Sequence, residues 1–108
     1  MIEIKFEEWF TEINNSNLEE LKNDLYVKAS RYHQLRNTSY FANETERFEI
    51  EEFRTRSHNT FIDSCNILSR NMIKNGDQAN WRVELGNDRK VIGDFACYIS
   101  YRIGLKAR

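Results

Sequence analysis

Apolar side chains recur along this chain at steps of three and four residues, the spacing that gathers them on one face of a helix turning about 100° per residue. Ile2, Phe6, Trp9, Phe10 and Ile13 form the first such stripe. The run Asn14-Asn15-Ser16-Asn17 interrupts it, and Ser16 with Glu19 three residues on predicts a capping box for a second helix. The seam of that helix is Leu18, Leu21, Leu25, Tyr32 and Leu35. Asn37 to Asn43 reads as a loop, and Asn43 with Glu46 predicts the start of a long third helix reaching about Lys74. Asn75-Gly76 marks its end, because glycine takes the left-handed conformation that closes a helix. Trp81, Val83 and Leu85 alternate as a strand would, but one strand without a partner is not stable, so this stretch reads as a loop or a short helical turn. Asn87 or Asp88 starts the last helix, with Val91, Ile92, Phe95, Tyr98, Ile99 and Ile103 on its apolar face and Gly104 closing its end.

Four amphipathic helices with short connections predict an all-α fold: a four-helix bundle-like domain with one long third helix. The alternative is a more open array whose core is completed by homodimerisation. At 108 residues the chain is sized for a single helical domain, residues 1–108. An apolar share of 40% is enough for a core, and the absence of proline lets long helices run unbroken. No apolar run approaches a membrane span and the first ten residues are acidic, so neither a membrane span nor a secretory signal is expected. Cys65 and Cys97 stand apart with no metal-like spacing, which predicts reduced thiols in a cytoplasmic protein. Asn43-Glu44-Thr45 is then no glycosylation signal.

The net charge of −1 conceals a gradient: residues 1–53 carry 12 acidic against 6 basic side chains, and residues 54–108 carry 5 against 10. Attraction between the two halves within one fold is the plain explanation; a basic surface for an acidic partner is the other. Nucleic acid is disfavoured, since Arg82, Arg89, Lys90, Arg102, Lys106 and Arg108 are basic without a helix-turn-helix pattern.

Candidate chemistry sits on the third helix. Phe61, Cys65, Leu68 and Met72 form a narrow apolar stripe flanked by Ile62 and Ile73, and the same line run backward carries His58, Arg54, Glu51, Arg47 and Glu44. The plain reading is a salt-bridge ladder where the helix overhangs its bundle. The functional reading is a polar pocket of Glu51, Arg54, His58 and Asp94, with His58 as a base or anion contact and Arg54 as a clamp. Arg56, Asn59, Asp63, Asn66 and Arg70 mark the solvent side of the same helix. His33 borders the second helix's seam as a half-buried histidine. Cys65 and His58 share a face but stand seven residues and about 10 Å apart, too far for a thiolate pair. Glu-x-x-His steps are missing, since Ser30 and Thr55 precede the histidines by three, so neither a metal nor a cofactor is expected.

Gly93, Cys97, Ser100 and Gly104 are small residues at steps of four, three and four on the last helix. They let another backbone approach, either because this helix is central or because they form a homodimer interface. Phosphate loops, zinc spacings and nucleophile elbows are absent, which points away from an enzyme. Arg54 to Met72 and Leu85 to Ile99 resemble small bacterial proteins of a family of unknown function. The resemblance implies a compact helical protein and no activity, and draws attention to His58, Asn59, Asp63, Arg89, Gly93 and Asp94. The expected function is an interaction module that binds another protein or itself; the alternative is a small-ligand-binding or hydrolytic domain built on the polar pocket.

Overall fold

The structure is a computed structural model describing residues 2–106. The described residues form helices α1 (Ile2–Asn14), α2 (Glu19–Phe41), α3 (Glu44–Lys74), α4 (Asn80–Leu85) and α5 (Arg89–Lys106) and contain no strand. The all-α expectation therefore holds, with five helices in place of four. α2 and α3 form a long antiparallel hairpin. α5 lies along α2 in the opposite direction, with Gly93 beside Tyr32 and Ile103 beside Tyr26, and α1 and α4 close the far end over α5. α3 is unbroken over 31 residues, about 46 Å at 1.5 Å per residue. That length sets the 47 Å long axis of the molecule.

Each apolar stripe turns inward. Phe6, Trp9, Phe10 and Ile13 of α1 meet Leu25 and Tyr32 of α2, Phe61, Cys65, Leu68 and Met72 of α3, and Ile92, Phe95 and Ile99 of α5 in one buried cluster. Leu18, Leu21, Ile62, Val91, Tyr98 and Ile103 pack at its margin, whereas Ile73 is exposed. Ile2 lies among residues whose side chains fall outside the description.

The helix ends correct several expectations. No capping box forms at Ser16: the Leu18 amide donates to Ser16 Oγ at 3.2 Å, and Glu19 turns instead to Lys22. The buried Lys22 ammonium folds back to donate to the Asn14 and Ser16 carbonyls at 2.8 and 2.7 Å. A cation thus satisfies acceptors at the carboxyl end of α1, where carbonyls are unpaired and the helix dipole is negative. The stretch from Asn37 is no loop, because nothing in it breaks a helix; α2 continues through Phe41 and only Ala42-Asn43 turn. Asn43 caps α3 as expected, accepting from the Glu46 amide at 2.9 Å. Gly76, at φ +89°, closes α3, with the Asp77 amide donating to the Met72 carbonyl at 2.9 Å.

Residues 80–85 are the short helix α4, so the strand-like alternation misleads. Trp81 and Leu85, four apart, are buried together while Val83 between them is exposed. Gly86, at φ +67°, lets the chain leave α4, and Asp88 caps α5 by accepting from the Lys90 and Val91 amides. Gly104 does not end α5, which runs on to Lys106. Among the described residues no helix is long and apolar enough to cross a membrane.

Trp81 is fully buried and its Nε1 donates to Met72 Sδ at 3.4 Å, so this six-residue helix is anchored by one indole. Trp81→Ala is expected to lower stability by about 3–5 kcal/mol, read as a shift in the urea midpoint at unchanged m-value.

Candidate functional site

The charged row of α3 descends from water into the core. Glu44, Arg47 and Glu51 are exposed, Arg54 is half-buried and His58 is 5% exposed, directly before Phe61, Cys65 and Leu68. Arg47 serves the fold: its Nε donates to the Ser39 carbonyl at 2.9 Å and its Nη2 to that of Tyr40 at 3.3 Å, capping α2. Glu51 lies 3.4 Å from Arg54 and 3.9 Å from Arg89, and Arg89 donates to Thr55 at 3.3 Å, which ties the start of α5 to α3.

His58 lies under this joint, its ring 5.4 Å from that of Tyr32. Burial, aided by the neighbouring Arg89 and Arg54 cations, holds its pKa below the usual value and favours the neutral ring. Its Nε2 and the Arg54 Nε are buried with no hydrogen-bond partner. Asp94 belongs to a different joint, where it pairs with Arg36 of α2 at 2.8 Å. Among the described residues no ion pair or hydrogen bond links Asp94 to Glu51, Arg54 or His58. Three of the four candidate pocket residues therefore come together, and Asp94 stands apart. The Cys65 thiol, pushed up to about 12 by burial, stays protonated at neutral pH.

The small stripe of α5 divides in the same way. A Cβ at Gly93 would stand 3.0 Å from Tyr32 Oη and 3.1 Å from Tyr32 Cε1, so this glycine is what lets α5 close on α2. Cys97 follows one turn on, accepting from Arg36 Nη1 at 3.5 Å. Ser100 is half-buried, and Gly104 is exposed with open space around it. Half of the stripe is thus spent inside the chain.

The sequence reading missed the free end of the α2–α3 hairpin. Tyr40, Phe41 and Phe48 are 75%, 83% and 85% exposed, and Phe53 and Val27 are also exposed. Glu44, Glu46, Glu49, Glu51 and Glu52 surround these aromatics. Lower on the hairpin a cleft of about 310 Å³ runs between the helices, lined by Val27, Lys28 and Arg31 of α2 and Phe53, Arg56 and Thr60 of α3. A signal was available: Phe48 and Phe53 fall well off the helical line of Phe61, Cys65 and Leu68, so they could not share its core. No protein family, characterised protein or solved structure matches this chain.

Gly93→Leu is expected to cost about 1–3 kcal/mol by overpacking against Tyr32. Gly104→Ala, in open helix, is expected to gain roughly 0.4–1 kcal/mol; thermal unfolding of both variants checks the contrast. His58 is depressed in the folded state, so its contribution is present above the unfolded pKa near 6.5 and is lost as pH falls through the lower folded value. Urea midpoints between pH 7.5 and 5.5 should therefore fall more for the parent than for His58→Gln.

Proposed function

We propose that this chain is a protein-interaction module whose contact surface is the projecting α2–α3 hairpin. The observation carrying this reading is the exposure of Tyr40, Phe41 and Phe48 at one end of a well-packed helical domain. Large aromatics are the residues that most often anchor protein interfaces, and contiguous exposed apolar surface on a monomer marks a binding site. The surrounding carboxylates repel phosphate backbones, which favours a protein partner over nucleic acid. Two free cysteines, one buried and one half-buried, suit a reducing, cytoplasmic setting.

The ligand-pocket reading stands second. It draws on the unpartnered His58 Nε2 and Arg54 Nε, but Glu51 is already engaged by Arg54 and Arg89, and Asp94 by Arg36.

Replacing Tyr40, Phe41 and Phe48 together with serine should change stability by no more than about 0.5 kcal/mol per site, because none is buried. A photo-crosslinking amino acid at position 48 should give a discrete adduct in cells, lost when Tyr40 and Phe41 are serine, and absent when the probe replaces exposed Val83. Equal adducts from positions 48 and 83, or none from either, would overturn the reading.

A further inference from the structure

One exposed face of the α2–α3 hairpin, whose α2 edge borders Ile103 of α5, has a polarity that complements itself. Along α3, Glu46, Glu49, Phe53, Arg56 and Thr60 follow at steps of three, four, three and four, one continuous face. Along α2, Val27, Arg31, Gln34, Thr38 and Phe41 do the same. The end near the turn is acidic and the end near the cleft is basic, with exposed apolar residues at Phe41, Phe53 and Val27. Among the described residues Glu46, Glu49 and Arg31 make no ion pair; Glu46 accepts from Asn43 Nδ2 at 2.6 Å, and the charges of Glu49 and Arg31 are free to meet a partner. Arg56 holds Glu52 at 2.8 Å, but both are exposed and that link is cheap to exchange.

We infer that the partner covering this face is a second copy of the chain, docked antiparallel about a two-fold axis near Phe53. The inference rests on the interaction-module reading and names its partner. Counting residues from the turn at Ala42-Asn43 places Arg31, Phe53 and Arg56 at similar heights, with Glu49 and Glu46 one and two turns nearer the turn. Rotation about an axis at Phe53 brings Glu49 of each copy opposite Arg31 and Arg56 of the other. It brings Glu46 opposite Thr60. Phe53 then stacks on its own symmetry mate. A tip-to-tip arrangement would instead crowd the glutamates of both copies together. An isologous contact repeats each favourable pair twice and closes at the dimer.

The test uses the full chain and exposed residues only. The parent should sediment at twice 13.0 kDa in the micromolar range. Glu49→Arg and Arg56→Glu should each weaken self-association by about tenfold or more by placing like charges across the axis. Mixing the two variants should restore a dimer containing one of each, because both 49–56 pairs facing across the axis are then opposite in sign. Phe53→Cys under a mild oxidant should give a disulfide-linked dimer that the parent, with its native Cys65 and Cys97, does not form. A parent that stays monomeric at high concentration, or single reversals with no effect, or a mixture that fails to re-pair, would each overturn the inference. If position 48 meanwhile still yields its discrete adduct to a different protein, the interaction reading survives while the second copy is excluded as its partner.

Discussion

The structure depends on a mismatch of lengths around α3. This helix runs for 31 residues, α2 for 23 and α5 for 18, and only the second half of α3 carries the apolar stripe that a core needs. The buried cluster forms where α1, α4 and α5 reach, over Phe61, Cys65, Leu68 and Met72. Beyond Arg89 no other element of the described residues lies on the hairpin, and two helices joined by Ala42-Asn43 extend past the core. An extension of this kind has few apolar contacts to hold it, so it relies on helix propensity, the Asn43 cap and the Arg47 guanidinium on the last carbonyls of α2.

Charged side chains do much of the joining. Lys22 closes α1 onto α2, Arg47 closes α2 onto α3, and Arg36 with Asp94 fixes α5 against α2. Glu7 binds both Tyr98 and Arg102, and Arg102 lies over the Phe10 ring, fastening α1 to α5. Glu7 with Arg102, and Glu51 with Arg89, join acids from the first half of the chain to bases of the second, so part of the charge gradient is consumed inside the fold, while Arg36 with Asp94 runs the other way. The remainder stays at the hairpin, where Glu46 and Glu49 at one end and Arg31 at the other make no ion pair among the described residues.

His58 occupies the boundary between these two regimes. It sits where the charged row of α3 enters the core, under Tyr32 and beside Arg89, with its ring kept neutral by burial. The same residue that looked like a catalytic base from its position in the row is a buried component of the α2–α3–α5 crossing. Gly93 works at that crossing too, since the approach it permits brings Tyr32 between α5 and His58.

The apolar periodicities of Phe6 to Ile13, Phe61 to Met72 and Ile92 to Ile99 determined that the chain is helical and which faces it buries, because side-chain direction along a helix is set by residue spacing alone. The same is true of the ends at Asn43, Gly76 and Asp88, where cap chemistry acts within a few residues. Tertiary structure decided what depends on neighbours distant in sequence. Trp81 and Leu85 became a helix because Met72 was there to take the indole and Glu12 to take the Trp81 amide. Gly93 turned inward because Tyr32 stood opposite, and Asp94 was drawn from His58's group to Arg36. The aromatic end of the hairpin stayed uncovered because α5 stops short of it. Burial is a property of what the rest of the chain can reach, and no local pattern around Phe41 or Phe48 records how far that is.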